Sequence, residues 1–231
     1  MKIEIYADGS DLLEMIKTHS NVKWVSGFTT NPSLMRKAGV KDYLHFVREV
    51  TAAITDVPVS FEVFADTLTE METQARVIAA FGNNVYVKIP VTNTKGESTK
   101  TLIADLLRSG INVNVTAVFT TEQIDELVPH MNSSTSAILS VFAGRIADTG
   151  VDPKPIISHA LRVMPPNVKT LWASSREAYN IYEADSIGCH IITVTGDLMG
   201  KLKLNGKDLT QYSLETVKMF HDDAAASGYA L

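Results

Sequence analysis

Lys88 is the residue of this sequence with the widest chemical scope. It lies in Val85-Tyr86-Val87-Lys88-Ile89-Pro90, with Asn83-Asn84 before it and a proline at its end. That composition predicts a strand. Alternation places Val85, Val87 and Ile89 on one face and Tyr86 with Lys88 on the other. So apolar a strand is covered on both faces, which turns Lys88 into the protein. Lysine is almost never buried without a partner, and loss of hydration favours the neutral, nucleophilic amine. Lys88 is therefore a candidate for Schiff-base formation. A lysine that snorkels to water at a strand end, or pairs with a carboxylate, fits the same run.

Three further runs keep polar residues on one face. Asn114 and Thr116 share a side of the run from Asn112 to Ala117, and Ser60 and Glu62 share a side of the run from Val59 to Val63. Glu4, Tyr6 and Asp8 do so in the first eight residues. In an antiparallel sandwich such a face would simply be wet. If helices follow the strands they cover one face, and a closed barrel encloses the other. Enclosed polar groups must then satisfy one another or a ligand. On this reading Asp8, Glu62, Lys88, Asn114 and Thr116 stand at the C-terminal ends of strands, where (β/α)8 barrels carry their catalytic groups.

The elements that would position these residues alternate along the whole chain. Strands are expected to begin near Ile3, Trp24, Val59, Val85, Asn112, Ser136, Val168 and His190. Between them, Leu68, Met71, Ala75 and Ile78 fall on one helical face, as do Leu102, Ile103, Leu106 and Leu107, and Ile124, Leu127, Val128 and Met131. Thr67-x-x-Glu70, Thr120-x-x-Gln123 and Ser174-x-x-Glu177 each fit a capping box. Eight β/α units without a linker predict one α/β domain over residues 1–231, a (β/α)8 TIM barrel. A doubly wound open sheet shares this periodicity and is the alternative. Residues 209–231 are expected to form a helical tail, with an extra C-terminal helix over about 213–225.

Bulk composition narrows the classes further. The 231 residues carry 21 basic and 26 acidic side chains, a net charge of −5, and no basic tract, which argues against an extended nucleic-acid surface. Cys189 is the only cysteine and starts an apolar run, so it is expected to pack in a reducing compartment. The N-terminus has a strand pattern and not that of a signal peptide. No segment has the apolar length to cross a membrane. The six histidines lack metal-ligand spacing, so no metal is assigned.

Gly27-Phe-Thr-Thr-Asn-Pro-Ser-Leu34, Lys-Ile-Pro at 88–90, Asn-Val-Thr at 114–116, Ser140-Val-Phe-Ala-Gly-Arg-Ile146 and Trp172-Ala-Ser-Ser-Arg176 follow one another at successive strand ends. Together they resemble the transaldolase family, and more narrowly its short-chain branch, which also holds the fructose-6-phosphate aldolases. The similarity extends from Asp8 into the C-terminal tail. It implies a class I aldolase barrel with no cofactor and no metal, acting in the cytoplasm on small phosphorylated sugars in the pentose phosphate pathway. It also implies roles. Lys88 forms the Schiff base, Asp8 is the acid/base, and Glu62 with Thr116 holds a proton-shuttling water. Asn31, Asn114 and Ser140 contact the dihydroxyacetone unit, and Phe142 lines its pocket. Arg145, Ser174 and Arg176 bind phosphate. Each has a plainer reading: a turn or helix cap for Asp8, a turn for Asn31, an ion pair with Lys88 for Glu62, an N-cap for Ser174.

The family's aldolases carry glutamine where Glu62 stands and tyrosine where Phe142 stands, so both positions resemble the transaldolases. Gly9 departs from the small hydroxyl residue usual after the aspartate. A lyase releasing free dihydroxyacetone is the alternative to transfer; another barrel lyase using a lysine, and a non-catalytic phosphosugar-binding barrel, are further rivals. Short-chain relatives form rings of five or paired rings, so a homo-oligomer, pentamer or decamer, is expected.

Overall fold

A computed structural model describes residues 1–229 of the chain; the last two residues of the expected tail lie outside the described residues. Eight parallel strands close on themselves in sequence order, with β1 paired to both β2 and β8. The strands are β1 (Glu4–Asp8), β2 (Val25–Thr29), β3 (Val59–Glu62), β4 (Val85–Pro90), β5 (Val113–Val118), β6 (Ala137–Val141), β7 (Val168–Trp172) and β8 (Ile191–Thr195). Each begins within one residue of its expected start. The closed barrel replaces the open-sheet alternative. Closure depends on the β1–β8 pairing, which links opposite ends of the chain and leaves no trace in local periodicity.

The first helices are α1 (Leu12–Asn21), α2 (Pro32–Lys37), α3 (Tyr43–Ala53), α4 (Leu68–Ala79), α5 (Lys100–Arg108) and α6 (Thr121–Met131). After them come α7 (Ala143–Ala147), α8 (Lys154–Val163), α9 (Tyr179–Ser186), α10 (Gly196–Lys201) and α11 (Leu209–Ala226). The expected stripes are the faces that meet the sheet: Met71, Ala75 and Ile78 of α4, all four residues named on α5, and Ile124, Leu127 and Met131 of α6 are buried. Thr120 and Gln123 form the full reciprocal box at α6. Thr67 caps α4, although its hydroxyl also donates to the Glu70 carboxylate.

Ser174 does not cap a helix. The α9 helix starts later, at Tyr179, with no side-chain cap, and Ser174 sits in a loop with φ of +65°. Asn180 supplies the local anchor instead, accepting the Arg176 and Glu177 backbone N–H groups through Oδ1 at 2.9 and 3.1 Å.

Two apolar layers hold the barrel. The larger lies between strands and helices, where the outward strand residues meet the helical stripes. The smaller fills the barrel interior with Tyr6, Ile138, Leu171, Ala173 and Ile191. Gly27 makes room for this plug, since a Cβ there would fall 2.6 Å from the Tyr6 ring. The plug closes the barrel below the polar residues, so they face one open end.

Candidate active site

The polar faces of the strands converge on a cavity of about 260 Å³ at the C-terminal end of the barrel. Lys88, on β4, lines it and is only 6% exposed. Its Nζ donates to the Thr30 carbonyl at 2.7 Å and lies 3.0 Å from Glu62 Oε2. The carboxylate pairing expected as a plain structural role is thus present. It also puts a proton acceptor against the amine, and the two roles are compatible. Tyr43 of α3 fixes the Glu62 backbone, donating to its carbonyl at 2.6 Å.

Asp8 ends β1 and lines the cavity. It caps no helix: Asp11 caps α1 by accepting the Glu14 N–H at 2.8 Å, which leaves the Asp8 carboxylate to the site. Thr29 Oγ1 donates to Asp8 Oδ1 at 2.9 Å and lies 2.5 Å from Thr193 Oγ1. Burial raises the Asp8 pKa above the usual carboxylate value; the Lys88 charge and the Thr29 hydrogen bond oppose this, and Glu62 adds to it. Thr29 and Thr193 were not among the residues expected from the sequence. Alternation along β2 and β8 is the signal that would have found them, because both strands place these threonines toward the barrel interior.

Thr116 also lines the cavity, and its buried hydroxyl has no hydrogen-bond partner among the described residues. Its position follows from the alternation it shares with Asn114, in a stretch of β5 that stays in register with β4 as far as the Pro90–Thr116 pair. The register with β6 shifts between Val115 and Val118, and Ala117 takes a φ of +59°. This bulge interrupts the ladder just after Thr116, at the C-terminal end of the strand. Asn114 lies deeper and is fully buried, donating to Ser60 Oγ at 3.1 Å and accepting from Ser140 Oγ at 2.7 Å. Ser140 reaches the cavity itself and Asn114 supports it from below. Asn31 does what its Asn-Pro sequence suggests, capping α2 by accepting the Leu34 N–H at 2.9 Å. It lines the cavity as well, with its amide nitrogen uncommitted to that cap.

The remaining predicted residues cluster at the β6 and β7 ends. Phe142, Arg145 and Ser174 line the cavity. The Arg145 guanidinium carbon stands 5.7 Å from the centre of the Phe142 ring, within cation–π range. Gly144 abuts the loop that carries Ser174: a Cβ at 144 would meet the Ser174 carbonyl oxygen at 1.7 Å. Arg176 is not in the cavity wall. Its Nε donates to Asp148 Oδ1 and Oδ2 at 3.1 and 3.0 Å, and a second guanidinium nitrogen reaches the same carboxylate.

A buried lysine, a proton acceptor against it and a carboxyl with a raised pKa now share one cavity on a closed barrel. The sequence profile described as transaldolase/fructose-6-phosphate aldolase matches residues 5–230. The chain belongs to that family. Among its relatives, a probable transaldolase of Streptococcus equi subsp. zooepidemicus is 32% identical over 219 residues, covering 93% of this chain and 94% of that protein. Probable transaldolase 2 of Listeria monocytogenes is 33% identical, covering 87% and 88%. A probable transaldolase of Methanococcus maripaludis is 34% identical, covering 82% and 85%. Among solved structures, the YdjI aldolase of Escherichia coli K12 superposes with a TM-score of 0.57 at 15% identity, covering 91% of this chain and 83% of that one. For 3-hexulose-6-phosphate synthase of Salmonella typhimurium the TM-score is 0.59 at 14% identity, covering 84% and 89%. At such identities these two likenesses concern the fold alone. Membership in the transaldolase/fructose-6-phosphate aldolase family makes this chain an enzyme of the aldolase and transaldolase kind.

Proposed function

We propose that the protein is a transaldolase, moving a dihydroxyacetone unit from a ketose phosphate such as sedoheptulose 7-phosphate or fructose 6-phosphate to an aldose phosphate. The observation that carries this reading is the buried Lys88 Nζ, 3.0 Å from Glu62 Oε2, in the same cavity as Asp8. Glu62 takes a proton from Lys88, and the free amine adds to the substrate C2 carbonyl. Loss of the C2 oxygen as water gives an iminium; Glu62 and the unpartnered Thr116 hydroxyl hold and move protons at that oxygen. Asp8 then accepts the proton of the C4 hydroxyl. The C3–C4 bond breaks, its electron pair enters the iminium, and the aldose phosphate leaves. The resulting enamine attacks the acceptor aldehyde, Asp8 returns the proton to the new hydroxyl, and water hydrolyses the iminium to free Lys88. Asn31 and Ser140 hold the hydroxyls of the three-carbon unit, with Asn114 orienting Ser140. Arg145, Ser174 and Arg176 serve the phosphate end.

Transfer, as opposed to simple cleavage, requires that the enamine not be protonated before the acceptor arrives. Phe142 supports that reading because it lines the cavity without a hydroxyl. Phe142→Tyr puts a phenol there with little change in volume. Acceptor-free release of glyceraldehyde 3-phosphate from fructose 6-phosphate should rise at least about tenfold, a modest part of what a positioned acid contributes, while transfer falls. Adding Glu62→Gln should push the balance further. The assay follows glyceraldehyde 3-phosphate with and without erythrose 4-phosphate. A wild type that releases it as fast without acceptor as it transfers with one would be an aldolase.

A further inference from the structure

The phosphate end contains one acidic residue that the reaction does not use. Asp148 closes the C-terminus of α7, three residues after Arg145, and its carboxylate takes the Nε edge of Arg176 across the gap between the β6 and β7 loops. A carboxylate in that fork offers the same two-oxygen geometry as a phosphate, so the two anions exclude each other on that edge. The Arg176 backbone is pinned by Asn180, which leaves side-chain rotation as the way to move the guanidinium. Arg145, by contrast, lines the cavity and makes no ion pair among the described residues.

We propose that Asp148 is a positioning residue that holds the Arg176 fork out of the cavity, so that a phosphate dianion gains this second arginine only by exchanging with the Asp148 carboxylate. The proposal rests on the reading of the cavity as a sugar-phosphate site. An anion entering the cavity first meets Arg145 and Ser174. With Asp148 engaged, the two arginines and the aspartate leave one net positive charge; transfer of Arg176 to the ligand presents two arginines to a doubly charged group. Both members of the pair are about half exposed. Pairs of that kind are weak, which keeps the exchange within reach of a bound phosphate. The Arg176 hydrogen bonds hold the Asp148 carboxyl below its usual pKa, so the competitor stays charged throughout the neutral range.

Calorimetric titration with inorganic phosphate at about 0.15 M salt tests this on the full-length wild type, Asp148→Asn, Arg176→Ala and the double variant. Asp148→Asn should bind phosphate on the order of fivefold more tightly, the scale of one exposed pair. In the Arg176→Ala background the same change should yield about twofold or less, because only screened repulsion is then removed. The KM for a phosphorylated donor should fall with the phosphate Kd, while that for free dihydroxyacetone stays put. An unchanged or weaker Kd in Asp148→Asn would overturn the proposal, as would an equal gain without Arg176. Absence of phosphate binding in all four proteins would overturn it too. Borohydride trapping of unphosphorylated dihydroxyacetone on Lys88 needs no phosphate contact. Trapping that persists beside a flat phosphate result therefore sinks the Asp148 proposal alone.

Discussion

Asp8 links the chemistry of the site to its stability. Its folded pKa is raised, chiefly by burial, so the folded protein holds this proton more tightly than the unfolded chain does. That contribution is complete at acidic pH and is lost as pH climbs from about 4, the ordinary carboxylate value, through the higher folded value. Asp8→Asn cannot ionise and can still accept from Thr29. It should raise Tm relative to wild type at neutral pH, with the difference vanishing below about pH 4; thermal melts across pH check this. The same variant should lose about 10²- to 10⁴-fold in carbon–carbon cleavage while still forming the Lys88 adduct. Asp8, Glu62, Lys88 and Thr116 were legible because strand alternation is a local rule and each stands alone among apolar neighbours. Thr29 and Thr193 were less so, since threonine is equally at home as a β-former. Arg176 differs again: its type and place suit a phosphate ligand, yet only three-dimensional proximity reveals Asp148.

At the scale of elements, the strand starts and helical stripes could be read from periodicity, whereas the joints between elements could not. The Ser174-x-x-Glu177 pattern satisfies the capping rule but loses to a tertiary contact, the packing of the Ser174 carbonyl against Gly144. The bulge at Ala117 is likewise invisible in an ordinary Val-Thr-Ala-Val run. Gly144→Ala tests the first joint. No flexible side chain can yield to the new methyl, because backbone is what it meets, so β6 and β7 must separate at their ends. The expected cost is about 1–3 kcal/mol. For a chain of this size that lowers Tm by roughly 2–4 °C for each kcal/mol. Phosphate binding should weaken as well, since Ser174 and Arg145 flank the contact. Calorimetric melts and phosphate titration measure the two effects, and a variant with unaltered values for both would show that the loop is not held by this contact.

Closure of the whole molecule brings residues from β1 and from β8 into one cavity, and that could be expected only by combining eight local readings. The expected C-terminal helix is longer than its periodic stretch suggested, and it buries none of its residues against the barrel. Leu209, Val217 and Phe220 are 79%, 61% and 62% exposed. Apolar residues at this density on one exposed helix suit an interface. We propose a homo-oligomer, a ring of five or paired rings, in which α11 contacts a neighbouring copy. Light scattering should give a pentamer or decamer for the full chain and a smaller species after removal of residues 209–231. A monomeric full-length protein would end that proposal.

The claim on which the rest depends is that Lys88 carries the substrate. Borohydride reduction during turnover of fructose 6-phosphate, followed by peptide mapping, tests it directly. The expected result is a three-carbon adduct on the peptide containing Lys88, and no adduct and no activity in Lys88→Arg, whose guanidinium stays protonated. An adduct on another residue, or full activity in Lys88→Arg, would contradict it.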